Sequence, residues 1–327
     1  MRQPLVILVL NFLLLITSAN ACIWDRDTLR IEADAKPDIL ETTTGRFPRF
    51  PDRYYEMRLE RVSEELNQKP DALDLYDDAG AAADRLGNGK AAIEWMRKKK
   101  AILEKQNIPD TAEHTYRYHA NLGTFLFHHW IRSGASDDQI DMAKEGRDHI
   151  ANAIELNPDA HFGREKFQLM AMDWIIEKDQ QSFSFIDGYQ DDLDSAIEGV
   201  SGLIRLGNGW NSPDVFLALN TLLLRKHEAY LATMAFSRAQ VLLSSGRRSF
   251  SIAVNKSEHL YDDPFRRIQD QSYQKLLRNF YQKARAEADN WQAARFAYME
   301  GKFAKGLHPD NDPDFWDNFS YAGKPPL

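Results

Sequence analysis

Cysteine is almost missing from this chain: Cys22 is the single one in 327 residues. No internal disulfide is possible, so the fold is held together without one. Basic charge is in deficit, with 41 Lys and Arg against 49 Asp and Glu, a net charge of −8 and a pI near 5.6. That balance excludes the broad basic face of a general nucleic-acid binder. A membrane-spanning run is missing as well. The N-terminal stretch Leu5 to Ile16 is apolar apart from Asn11, but it is about a dozen residues long where a bilayer takes about 20. No stretch alternates apolar and polar residues in the manner of a half-buried strand, so the expected fold class is all-α.

Catalytic and ligand motifs are equally scarce. Gly199-Val200-Ser201-Gly202 lacks the spacing of a nucleophile elbow. Gly87-x-Gly89 and Gly207-x-Gly209 follow no strand and lack a third glycine, so they are not phosphate loops. Asp310-Asn311-Asp312-Pro313-Asp314 alternates oxygens like a calcium loop, yet Phe315 and Tyr321 stand where an EF-hand needs Gly and Glu. It reads as an acidic turn broken by proline. His128 and His129 are adjacent, so on a helix they point about 100° apart and cannot share a metal easily. Lys98-Lys99-Lys100 reads as a solvated helix face. No cofactor or metal is expected.

What is present begins with a leader. Met1-Arg2-Gln3-Pro4 is followed by the apolar run and by Ala19-Asn20-Ala21, with small residues flanking a cleavage point. This is the layout of a secretory signal peptide covering residues 1–21. Cys22 comes next. It could carry the lipid of a bacterial lipoprotein, but Ala19 and Asn20 depart from that motif, and ordinary cleavage is the better reading. Residues 22–51 form an irregular head. Trp24 to Leu29 opens a short helix running to about Ala35, and Gly45 to Pro51 is extended by its prolines. Asp52 caps a helix from Arg53 to about Leu66. After residue 246 comes a loop to about 263, then a long helix from Asp263-Pro264 that continues or breaks at Asp289-Asn290 and ends before Gly306. The Pro- and Asp-rich tail packs through Phe315 and Trp316.

Between them, residues 52–246 read as helical hairpins. Ala79-Gly80 and Ala92 are small where two helices must touch, while Tyr76 and Met96 are large where a neighbouring hairpin must cover them. One hairpin cannot bury its apolar face, so the unit must repeat. Phe216, Leu219, Leu223, Ala232, Phe236 and Ala239 repeat the spacing. Leu122-Gly123 and Ala153 to Pro158 give a split third copy, with the loop Gly134 to Asp138 holding the excess. Arg85-Leu86-Gly87-Asn88-Gly89 recurs as Arg205-Leu206-Gly207-Asn208-Gly209, with Gly87 and Gly207 as left-handed helix ends.

This pattern resembles the tetratricopeptide repeat (TPR), a 34-residue helix–turn–helix. Lys99 departs from it, standing where the repeat favours alanine. The Trp24 to Leu29 head and Gly45-Arg46-Phe47 are also similar to exported bacterial TPR-containing proteins of unassigned function. The resemblance implies an irregular TPR-like helical-hairpin solenoid with a non-repeat head and a long C-terminal helix. It implies a concave groove that binds a peptide or protein segment without catalysis. Carried over residue by residue, the groove face holds Asp74, Asp77, Asp84, Arg85, Arg117, Thr124, Phe127 and His128. An acidic groove of this kind favours a basic or hydrogen-bonding peptide. The alternative is a periplasmic enzyme or small-molecule binder with a pocket between head and repeats, carried by His119, His128, His129 and nearby acids. The expected location is the periplasm, the cell envelope or the exterior, the expected partner an unidentified protein or peptide and no nucleic acid, and the only membrane links the leader and Cys22. Intact-mass spectrometry of the exported protein is expected to show a chain that starts at an unmodified Cys22; a diacylglyceryl mass on that residue would reverse the assignment.

Overall fold

The computed structural model describes residues 39–105, 111–158, 160–177, 182–256 and 262–323. The leader, Cys22 and the helix expected after Trp24 lie outside them. Among the described residues the chain forms twelve α-helices and no strand. They are α1 (Ile39–Thr44), α2 (Asp52–Gln68), α3 (Leu73–Arg85), α4 (Gly89–Lys105), α5 (Thr111–Arg132), α6 (Ile140–Leu156), α7 (Arg164–Glu177), α8 (Leu193–Arg205), α9 (Pro213–Arg225), α10 (Ala229–Ser244), α11 (Ile252–Lys256) and α12 (Gln271–Phe303). From α3 to α10 every helix packs on the one before it in sequence, and α3 also touches α5.

Small residues set the closest approaches. Gly123 of α5 and Gly146 of α6 face each other: a Cβ on Gly123 would lie 2.6 Å from the Gly146 carbonyl oxygen, and one on Gly146 would lie 2.8 Å from that of Gly123. Gly80 admits Met96 and Phe125 in the same way. The excess length of the split unit lies partly in the loop after residue 132, as expected, and partly in α5 itself, which runs 22 residues. The segment α7 fits the repeat pattern poorly because it is apolar on more than one face. Phe167 and Trp174 join the core of α8 to α10, while Met172 joins the core beneath α5 and α6.

The long helix is one unbroken element of 33 residues, roughly 50 Å at 1.5 Å per residue. It starts at Gln271 rather than at Asp263, because Pro264–Arg267 forms a separate 3-10 turn and Asp270 supplies the N-cap. Its first half packs against α10 through Leu277 and Tyr281, its middle against α1, and its end against α2. There Met299 and Phe303 form a small core with Tyr54 and Phe315. The C-terminal helix therefore returns to the first long helix of the array. The acidic turn completes the junction. Arg58 Nη2 donates to Asp310 Oδ1 at 2.6 Å and Arg58 Nε donates to Asp310 Oδ2 at 2.9 Å, with Arg61 on the same carboxylate. Both Arg58 and Asp310 are buried. His308 sits within 3.1 Å of the Tyr54 carbonyl oxygen. Asp310 is thus the counter-ion of two arginines, and the tail packs through Phe315 as expected.

The described part of the head lies inside the array. Helix α1 contacts α8, α10 and α12, and Phe47 meets Trp210 edge-on at 5.4 Å between ring centres. Helix propensity alone favours Ala over Gly by about 1 kcal/mol, but the Gly123–Gly146 approach leaves no room for a methyl group. Gly146→Ala is expected to destabilise the protein by about 1–3 kcal/mol, read as a fall in the midpoint of urea unfolding; a rise would mean that the two helices separate freely.

Candidate functional site

The residues carried over as a groove face separate into three environments. Asp77 belongs to the interior: Lys99 Nζ donates to its Oδ2 at 2.6 Å and Asn121 Nδ2 donates to its Oδ1 at 3.0 Å. Asp77 and Lys99 are both fully buried. Burial pushes the Asp77 carboxyl up and the Lys99 amine down, and their mutual attraction opposes both shifts. Lys99 is therefore not part of a solvated lysine face, and Asp77 does not face a groove. The residue that breaks the repeat pattern is the counter-ion of an acid on the preceding helix. Asp74 and Arg117 pair with each other at the edge of the same helices.

Asp84 is also fully buried, but its partners reach the surface of a cavity. Arg132 Nη1 donates to Asp84 Oδ1 at 2.6 Å, and His128 Nδ1 lies 2.9 Å from Oδ2. Burial alone would raise this carboxyl, yet His128 and Arg132 together hold it well below the usual carboxylate range. Thr124 Oγ1 donates to the Ala120 carbonyl at 2.8 Å and accepts from Gln168 Nε2 at 3.0 Å.

Thr124, Phe127, His128 and Arg85 line one cavity of about 610 Å³, walled by α5, α7, the α8–α9 turn and residues 247–250. Phe127, Ile131, Met172, Trp174 and Phe250 make its walls apolar. Arg85, Arg132, Arg247 and Arg248 supply its charge. The expectation from the sequence is an acidic groove; this cavity is lined by those four arginines and one carboxylate, Asp214. The three aspartates of the expected groove are each neutralised by a cation from a neighbouring helix, and arginines from later in the chain arrive at the opening. Arg132, Arg247 and Arg248 carry no repeat signature, so pattern reading had no means of finding them.

The loop bearing Arg247, Arg248 and Phe250 is pinned by one carboxylate. Asp214, in the first turn of α9, accepts from the Phe250 amide at 3.0 Å and from the Ser249 hydroxyl. Burial pushes the Asp214 carboxyl up to about 6, against the lowering effect of those two hydrogen bonds.

The two copies of the Arg-Leu-Gly-Asn-Gly turn meet across the cavity mouth. Arg85 donates to the Leu206 carbonyl at 2.5 Å and to the Asn208 side chain. Gly87 is left-handed as expected, with φ +80°. At the second copy the left-handed residue is Asn208, with φ 68°, and not Gly207. Gly207 is small for a different reason, since a Cβ there would approach the Leu203 carbonyl oxygen to 3.0 Å.

The histidines do not converge. His119 faces His149, with Nδ1 atoms 2.8 Å apart, so at least one ring must be neutral. Burial, His149 and Lys100 push His119 down to about 4. His129 packs beside Gly89, and of the three only His128 lines the cavity. Asp74, Asp77 and His114 place ligand atoms within 4.8 Å of one another. The Lys99 ammonium already occupies Asp77 and the Arg117 guanidinium occupies Asp74, so this group is poorly suited to a metal cation.

No family model, curated protein or solved structure matches this chain. The site must be argued from its own chemistry. A carboxyl group raised in the fold contributes stability that is complete below its ordinary pKa near 4 and is lost as pH rises through about 6. Asp214→Asn is expected to remove a pH-dependent contribution of about 3 kcal/mol between pH 4 and 7. The difference between variant and wild-type unfolding free energies should change by that amount across the window; parallel curves would mean that Asp214 titrates normally.

Proposed function

We propose that this chain is an exported, non-catalytic interaction scaffold. In this reading its consecutive hairpins form an irregular TPR-like solenoid, and the 610 Å³ cavity receives an apolar side chain of a protein or peptide segment. The observation that carries the proposal is the cavity itself. It is large enough for a substantial ligand group, since such sites run to about 300–1,000 Å³. It combines an apolar wall with a few fixed polar groups, and it lies on the helices that the repeat resemblance assigns to the binding face. The arginines at its opening favour an acidic segment over a basic one. Export is supported by the leader. Among the described residues no helix is long and apolar enough to cross a membrane.

The Asp84–His128 pair favours a second reading, in which the cavity performs acid–base chemistry on a small molecule. A buried aspartate orienting a histidine is half of a hydrolytic centre. The hydroxyls lining the same cavity are otherwise occupied, Thr124 with the Ala120 carbonyl and Ser212 as the N-cap of α9. Binding is therefore the stronger reading. A photo-crosslinking residue placed at Phe250, which is 40 % exposed, should give one discrete adduct in cells. The same residue at Glu104 on the exposed side of α4 should not. Identical adducts from both positions, or none from Phe250, would remove the cavity from consideration as a protein-binding site.

A further inference from the structure

We propose that a second cavity, of about 310 Å³, binds a small organic oxyanion: a carboxylate or phosphate carried on an aromatic or apolar body. The cavity lies where residues 47–50 of the head and the first turn of α2 meet the end of α8 and the α8–α9 turn. This site does not rest on the peptide-binding reading of the larger cavity.

The first argument is charge. Arg49, Arg85 and Arg205 line the cavity, and Asp52 is the one carboxylate among the described lining residues. Among the described residues, the hydrogen bonds of Arg49 and Arg85 run to uncharged oxygens. Arg49 Nη2 donates to the Gly45 carbonyl at 3.3 Å, and Arg85 donates to the Leu206 carbonyl and the Asn208 amide oxygen. The buried Nε of Arg49 has no partner. A guanidinium withdrawn from water without a counter-ion is costly, and an anion removes that cost.

The second argument is the density of cations behind the cavity wall. Trp210 is ringed by three guanidinium groups, Arg238 at 3.8 Å, Arg49 at 4.9 Å and Arg285 at 5.0 Å from the ring centre. Arg285 is paired with Asp289. Arg238 donates to the Trp210 carbonyl at 3.0 Å, and its buried Nε has no partner. Burial and the charge of Arg285 push Arg49 down to about 10, against the weaker attraction of Asp289. Stacking on an indole stabilises each cation but cancels none of the positive charge.

The third argument is shape. Phe47, Phe50, Tyr55 and Trp210 give the cavity aromatic walls. A planar guanidinium fork matches the oxygens of a carboxylate or phosphate in pairs. Aromatic walls beside such forks suit a ligand whose charge sits at one end and whose body is apolar.

Isothermal titration of the mature full chain at low salt tests this with three probes: phenyl phosphate, benzoate and inorganic phosphate. At least one of the two aromatic anions should bind a single site more tightly than inorganic phosphate, and the stronger of them identifies the headgroup. Arg49→Gln should weaken that binding at least about tenfold, a loss of about 1.4 kcal/mol. Asp52→Asn removes the one lining carboxylate and should tighten it two- to threefold, a gain that no loss of folding could produce. Arg53→Gln, on the exposed face of α2, should leave it unchanged. The proposal is overturned if no probe saturates a single site, or if Arg49→Gln binds like the wild type, or if Arg53→Gln weakens binding as much as Arg49→Gln does.

Discussion

The buried pairing of Arg58 with Asp310 is the constraint on which the rest of this architecture depends. It joins residues 252 positions apart and fixes the end of the chain against its first long helix. Taking two charges out of water is expensive and is repaid only by good geometry. Here the geometry is bidentate, Arg61 also donates to Asp310 Oδ2, and His308 Nδ1 accepts from the Asp310 backbone amide. Once the tail is held, α12 must run back across the array, and its flank encloses α1 and Phe47. The head is then pressed against Trp210, and the smaller cavity exists only because it is. An array of hairpins left open at both ends would have neither that wall nor the closed frame.

A second set of charges, two of its three aspartates buried, is paired between α3 and the helices that follow it. Asp77 is matched by Lys99, Asp84 by Arg132 and His128, and Asp74 by Arg117. Each acid comes from α3, and each cation comes from α4 or α5. An isolated α3 would be an acidic helix; packed, it is neutral. The arginines of the α8–α9 region and of the loop after α10 then set the sign of the surface. Local charge and surface charge differ here because neighbouring helices neutralise one another.

Much of the helical order is legible in the sequence, and the reason is periodicity. Small residues such as Gly80, Ala92 and Ala232 mark helix contacts, and Gly87 and Gly306 mark helix ends, because those requirements act within a few residues. Lys99 is legible as an anomaly, since a lysine at an alanine position demands a partner, but nothing local says that Asp77 is that partner. The closure by α12, the reach of Arg85 to the second turn copy and the arrival of Arg247 and Arg248 at the cavity depend on contacts between distant segments. Periodicity carries no information about those. The short helix α1 is equally silent, because Ile39 to Thr44 is held by its surroundings more than by its own propensity. The two glycine-containing turns look identical in the sequence, yet one uses Gly87 and the other Asn208 for the left-handed residue.

Arg85 stands in the wall of both cavities. Its guanidinium has a fixed number of donors, and several already hold the Leu206 carbonyl and Asn208. An anion that recruits this side chain from one cavity takes it from the other. Were both spaces to hold ligands through Arg85, they would be joined by thermodynamic linkage, and the coupling would be the same in either order of arrival. A single arginine would thus make two chemically unlike ligands competitors without their ever touching.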